Sequence, residues 1–146
     1  MKTQILTFIV FAFLFSSCKN GENKRSNETL TNIDLSELRL DNGNKWIVNL
    51  ETHDGLKNMD AIIKNFKSKT SKEYIVLGET LSKETSVIIK KCSMKGEPHD
   101  QLHVVLVPML DEISTLKETN VNIEAKQVSV EKLDYLIKKY FEHFSL

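Results

Sequence analysis

Four stretches of the sequence repeat apolar residues every three or four positions, which is the period of a helix with one buried face. This pattern predicts helices over residues 51–69, 71–93, 98–118 and 129–144. Five glycines and two prolines in 146 residues are few, and their scarcity favours long helices over a β fold with many turns. The clearest stripe has spacings of 3, 4, 3, 4 and 3 and consists of His99, Leu102, Leu106, Met109, Ile113 and Leu116.

The links between these segments predict how the helices are arranged. The breaks near Thr70 and over residues 94–97 leave little chain, so neighbouring helices should run antiparallel. We therefore expect an all-α domain over residues 45–146, built as an antiparallel up-down four-helix bundle. The link over residues 119–128 is longer, and the alternation of its apolar residues predicts extended chain before an N-cap at Ser129.

Two prolines and a short alternating stretch add detail to this bundle. Pro98 suits the first turn of the third helix, where its missing N–H costs nothing. Pro108 falls inside the same helix and predicts a kink there. Trp46, Val48 and Leu50 alternate with other residues, which predicts that residues 45–50 are extended along the domain.

Residues 1–17 have the pattern of a targeting segment. Lys2 is positive, and residues 5–15 are apolar with one exception. This run is too short to span a bilayer as a helix but suits a signal peptide. A small residue followed by Cys18 resembles the lipobox of bacterial lipoproteins, although Phe15 stands where leucine is commoner in that family.

The resemblance implies that Cys18 carries acyl chains and anchors the protein in a lipid bilayer of the bacterial cell envelope. Lys19 stands where an aspartate retains Gram-negative lipoproteins at the inner membrane, and this difference favours the outer membrane. The acidic run that accompanies surface export in Bacteroidetes-like lipoproteins is absent after Cys18. We therefore expect an outer-membrane lipoprotein that faces the periplasm.

Residues 18–44 are expected to hold the lipidated cysteine and a flexible tether. Residues 19–32 are polar and cannot bury enough apolar surface to fold. Residues 33–44 contain three leucines, so this part either packs on the domain or stays loose. It ends in Asp41-Asn42-Gly43-Asn44, which is a turn signal.

The bundle topology brings the histidines to one end of the molecule. In an up-down bundle, the first and third helices begin beside the ends of the second and fourth. His53, Cys92, His99, His103 and His143 all fall at that end. The sequence at the opposite end has no histidine or cysteine.

Cys92, His99 and His103 form a candidate metal site. The two histidines are one helical turn apart, so both imidazoles can reach one ion. A thiolate with two imidazoles suits zinc, or copper in its Cu(I) state with the thioether of Met94 or Met59 as a further ligand. With Cys18 lipidated, Cys92 has no disulfide partner in an oxidising compartment, and either metal binding or burial accounts for it.

Other residues at this end are candidates for supporting roles. His53, Met59 and His143 are additional candidate ligands. Asp100 or Glu97 is a candidate to orient an imidazole by hydrogen bonding.

The site residues also carry a resemblance. The motif Cys92-x-Met94-x-Gly96-x-x-His99-Asp100-x-x-His103, preceded by Lys45-Trp46, is similar to that of small, uncharacterised envelope lipoproteins from Bacteroidetes. The resemblance covers most of residues 45–146. It implies no established activity and marks the motif as the feature to test.

Two other functions remain open at the level of sequence. One is a bundle that binds haem without covalent attachment, since no C-x-x-C-H motif occurs, with His99 or His103 opposite Met59 or His143. The other is a structural or interaction module with an envelope protein partner, in which the histidines hydrogen-bond within the fold.

Charge and motifs argue against two further classes of function. Lys and Arg number 20 and Asp and Glu also number 20, so the chain lacks the excess of cations with which proteins neutralise nucleic-acid phosphates. No phosphate-binding glycine loop, nucleophile elbow or H-E-x-x-H motif occurs. We therefore expect neither a nucleic-acid partner nor an enzyme.

Overall fold

The structure is a computed structural model that describes residues 33–67 and 70–146, and these residues form the predicted helical bundle. The four helices have 16, 21, 21 and 21 residues. Two strands of two residues each flank them. In chain order the elements are β1 (Trp46–Ile47), α1 (Leu50–Asn65), α2 (Ser71–Lys91), α3 (Glu97–Lys117), α4 (Ile123–His143) and β2 (Phe144–Ser145).

Each helix packs against the next one along the chain, and α1 also packs against α4. With short links between them, the four helices therefore form the antiparallel up-down bundle that the apolar stripes predict. Their buried faces meet in one hydrophobic core. The largest fully buried apolar side chains of this core include Leu56, Met59, Leu81, Ile88, Leu102, Met109, Leu116, Leu133, Leu136, Tyr140 and Phe144.

Local sequence signals fix where the middle helices begin. Thr70 caps α2, because its hydroxyl accepts from the N–H of Glu73 while the Glu73 carboxylate accepts from the N–H of Thr70. Gly96 precedes α3 with a φ of 66°, a left-handed conformation that favours glycine. The helix α3 then continues through Pro108.

The start of α4 differs from the prediction. Residues 123–128 are helical and not extended, and the N-cap is Asn122 instead of Ser129. The Asn122 side chain accepts from the N–H of Ala125, which satisfies a free donor of the first turn. Ser129 lies buried inside the helix. The alternation of apolar residues over this short link was therefore misleading.

The two short strands join the ends of the domain. Trp46 pairs with Phe144 and Ile47 with Ser145 in a parallel arrangement. The N–H of Val48 continues the ladder by donating to the carbonyl of Ser145, at 3.0 Å. The predicted extended stretch is therefore confirmed at Trp46 and Ile47, which pair with the chain that follows α4, whereas Leu50 already begins α1.

Residues 33–44 pack on the domain, which settles the alternative that the sequence left open. Gln101 of α3 clamps this segment: its Oε1 accepts from the N–H of Arg39 at 2.8 Å, and its Nε2 donates to the carbonyl of Glu37 at 3.1 Å. The indole N–H of Trp46 donates to the carbonyl of Arg39 at 2.7 Å. Ile33, Leu35 and Leu38 also pack against the hydrophobic core, so this segment lies on the surface of the bundle.

The predicted signal peptide (residues 1–17), Cys18 and the polar tether up to residue 32 lie outside the described residues. Within the described part, none of the helices combines the length and the apolar character that crossing a membrane requires.

Candidate metal site

Cys92 lies directly after the last residue of α2, and His99 lies in the first turn of α3. The N–H of Cys92 donates to the carbonyl of Ile88 at 2.8 Å, which holds the cysteine on the last turn of its helix. The left-handed Gly96 then turns the chain so that α3 begins beside the end of α2. This tight connection brings two residues that are seven positions apart into contact.

The Sγ of Cys92 lies 3.5 Å from Nδ1 of His99. At this distance the thiol donates to Nδ1 when that nitrogen carries no proton. The same distance is close to that of two ligands of one metal ion: bonds of about 2.3 Å to sulfur and about 2.05 Å to nitrogen at a tetrahedral angle place the two ligand atoms about 3.6 Å apart. Both side chains are half-buried, so they are partly shielded and still reachable from solvent.

His103 stands one turn further along α3, as the spacing predicts. Its ring centroid lies 4.3 Å from that of His99, with the two rings inclined by 57°. His103 is exposed, so its imidazole has room to change rotamer. The three predicted ligands Cys92, His99 and His103 therefore form a chain of neighbours on the surface of one end of the bundle.

The other predicted members of the site have different surroundings. Met94 is partly buried and packs against the hydrophobic core. Glu97 forms an ion pair with Arg39 of the N-terminal segment. Asp100 lines a surface pocket together with His103. In the part of the chain that the structure describes, neither carboxylate hydrogen-bonds to an imidazole.

The three additional candidate ligands are also engaged elsewhere. His53 Nδ1 lies 3.2 Å from the hydroxyl of Tyr140, and burial lowers the pKa of this imidazole, with smaller contributions from Lys57 and Lys45. His143 Nδ1 donates to the carbonyl of Lys139 at 2.8 Å. Met59 is fully buried in the core.

Within residues 33–67 and 70–146, no group of three or more histidine, cysteine, aspartate and glutamate side chains is already placed around one point as a metal site. The contact between Cys92 and His99 supplies two ligands at metal-binding separation. A third ligand requires a rotation of the exposed His103 side chain or a movement of Met94. The arrangement is thus a preformed pair with candidate third ligands nearby.

Two buried polar residues escaped the sequence analysis. Lys126 is fully buried, and its Nζ donates to the carbonyls of Leu116 and Glu118 at 2.6 and 2.5 Å, where α3 ends. Gln101 is buried against the N-terminal segment. Both lie on positions that face the core in a helical stripe, which is the signal that could have identified them.

Comparisons with known proteins give this chain no family: no protein-family model matches its sequence, no curated protein matches it significantly, and no solved structure matches its fold significantly.

Proposed function

We propose that this protein is a bacterial envelope lipoprotein whose helical bundle binds a soft or borderline transition metal, Cu(I) or Zn(II), at the end that carries Cys92, His99 and His103. The observation that carries the proposal is the 3.5 Å separation of Cys92 Sγ and His99 Nδ1. Thiolate and imidazole are the ligands that zinc and Cu(I) share, whereas Mg²⁺ and Ca²⁺ prefer oxygen ligands.

The third ligand decides between the two metals. Zinc binding by Cys92, His99 and His103 would leave a fourth tetrahedral position for water. Cu(I) binding would favour the thioether of Met94, because soft sulfur ligands select this ion. In either case the thiol must lose its proton to bind as a thiolate, so metal binding releases protons.

The test is a metal titration of the full chain in mild detergent, under reducing and oxygen-free conditions, with Zn(II) and Cu(I) delivered from competing chromophoric chelators. We expect one metal per chain. The Cys92→Ser variant and the His99→Ala/His103→Ala variant should each weaken binding by more than the roughly 10–100-fold that is typical of losing a residue that only orients a ligand by hydrogen bonding. His143→Gln is the matched control, because its imidazole already donates to a backbone carbonyl.

Two further readouts make the result decisive. Bound metal should protect Cys92 from alkylation by iodoacetamide, and X-ray absorption should show both sulfur and nitrogen ligands. Retention of metal by both ligand variants would overturn the proposal. Stoichiometric binding that is lost only with His53 or Met59 would place the ion elsewhere and equally contradict this site.

The envelope part of the proposal rests on the signal-peptide pattern and on Cys18. Its test is metabolic labelling of the producing bacterium with an alkyne-bearing fatty acid, followed by membrane fractionation. We expect label on the wild-type chain in the outer-membrane fraction and no label on the Cys18→Ser variant. An unlabelled wild-type chain in the soluble fraction would contradict the lipoprotein assignment.

A further inference from the structure

An open apolar groove lies at the end of the α1–α2 hairpin opposite the candidate metal site. It has a volume of about 480 Å³, within the range of roughly 300–1,000 Å³ that small-molecule sites occupy. Its apolar wall is formed by Ile62, Phe66, Val76 and Leu77. The Phe66 ring packs edge-on against the buried Tyr74 ring, with 5.2 Å between centroids, so this wall rests on the core.

The charges of the groove are unevenly placed along it. Lys67 follows the end of α1 and Lys72 lies in the first turn of α2, so both line the groove at its hairpin end. Neither ammonium group has a carboxylate within 4.0 Å among the residues that the structure describes, and both side chains are exposed.

Glu73, the acidic residue that lines the groove, is hydrogen-bonded to Thr70. The Glu73 carboxylate accepts from both the N–H and the hydroxyl of Thr70, at 3.0 and 2.7 Å, in the capping box of α2. The Glu73 carboxylate therefore already occupies the start of α2, and the ammonium groups of Lys67 and Lys72 are the groups at this end that face an external anion. From Lys72 to Thr80 the groove follows α2 for nine residues, which is a rise of about 12 Å along the helix axis.

We propose that this groove binds a single-chain anionic amphiphile, a fatty acid, with the carboxylate between Lys67 and Lys72 and the alkyl chain along Ile62, Phe66 and Val76. Charge complementarity selects this occupant. The groove has lysines at one end and apolar side chains along the rest of its length, so it matches a molecule with one anionic head and one alkyl tail.

The test uses the full chain in native membrane vesicles, labelled by light with palmitate that carries a diazirine and an alkyne, with the labelled peptides mapped by mass spectrometry. We expect saturable label on the peptides of Phe66 and Val76. Unlabelled palmitate should compete, and hexadecanol, which has the same chain without the charge, should compete at least tenfold more weakly. Mapping separates this label from any acyl chain on Cys18.

Matched variants separate the groove from general effects of charge on α2. Val76 and Val87 are both half-exposed on this helix, at 51% and 50%, but only Val76 lines the groove. We expect Val76→Asp to lose the specific label and Val87→Asp to keep it.

A second pair of variants tests the cationic end. Lys67→Glu/Lys72→Glu should weaken labelling roughly tenfold. Lys83→Glu/Lys90→Glu, the same charge change on exposed lysines further along α2, should not. The proposal would be overturned if Val76→Asp left the label unchanged. It would also be overturned if hexadecanol displaced the label as well as palmitate does. Either result would indicate unspecific contact with the membrane.

Discussion

The imidazole of His53 and the buried phenol of Tyr140 meet at 3.2 Å, which joins the first turn of α1 to the last turn of α4. Burial raises the pKa of Tyr140, so the phenol keeps its proton, and a hydrogen bond joins its hydroxyl to Nδ1 of the imidazole. The Tyr140 ring also stacks on Phe144, with 5.0 Å between centroids. The two contacts of Tyr140 therefore link α1 to β2.

Tyr140→Phe removes the hydroxyl of this pair and keeps the ring. We expect the free energy of unfolding to fall by about 1 kcal/mol, the usual net value of one hydrogen bond, because water can reach the half-buried imidazole and replace the partner in part. Urea denaturation of the full chain measures the change. Tyr135→Phe is the control: its hydroxyl makes no hydrogen bond in the described part, so a similar loss there would contradict this explanation.

Stability should depend on the protonation of His53. Burial, followed by the charge of Lys57, lowers the pKa of this imidazole below its ordinary value of 6.5, while Asp54 acts in the opposite direction. The folded protein then binds fewer protons than the unfolded chain, so its stability falls as pH drops below 6.5 and levels off below the lowered pKa.

Two measurements check this pH dependence. Urea denaturation between pH 7.5 and 5 should show a smaller decrease in stability for His53→Gln than for the wild type. The ring proton shifts of His53, followed by NMR, should titrate below pH 6.5, and Lys57→Met should move that titration upward. A titration of His53 at or above pH 6.5 in the folded wild type would contradict the prediction.

The sequence predicted the bundle because four long apolar stripes leave little choice of secondary structure and short links leave little choice of topology. It misplaced the start of α4 because Val121, Ile123 and Ala125 alternate over too few residues to distinguish strand from helix. Lys126 added to the error, since a buried lysine interrupts the apolar stripe of the first two turns.

The candidate site was predictable in part for the same physical reason. Helical spacing relates His99 to His103, and the short α2–α3 connection relates both to Cys92. The contacts of Gln101 with Arg39 and of His53 with Tyr140 join residues 62 and 87 positions apart. No local pattern encodes such pairs, so their partners emerge only from the packed structure.

Lys126 should contribute to stability through the end of α3. Its ammonium group satisfies two carbonyls that have no partner within the helix, although burial lowers its pKa and so opposes its charge. Lys126→Met keeps the length of the side chain and removes both donors, and we expect a loss of about 2 kcal/mol in the free energy of unfolding. Lys138→Met, on an exposed side chain, should change it by less than about 0.5 kcal/mol. Equal effects of the two variants would show that the carbonyl contacts contribute nothing.

Gln101 should decide whether the N-terminal segment stays on the bundle. Its side chain is nearly fully buried and makes two hydrogen bonds to the backbone of Glu37 and Arg39. These bonds clamp the N-terminal segment to α3. The same segment leads toward Cys18, the predicted membrane anchor. Gln101→Leu keeps a similar volume but leaves the Arg39 N–H and the Glu37 carbonyl without these partners.

We expect hydrogen exchange at the Arg39 amide to become at least about tenfold faster in Gln101→Leu, since losing two hydrogen bonds lowers the local opening free energy by about 1.4 kcal/mol or more. Exchange of core amides such as that of Leu106 should change much less. The control is Gln127→Leu, which alters an exposed glutamine of α4 and should leave Arg39 protected. Unchanged protection of Arg39 in Gln101→Leu would mean that Trp46 and the leucines of the segment hold it without the clamp.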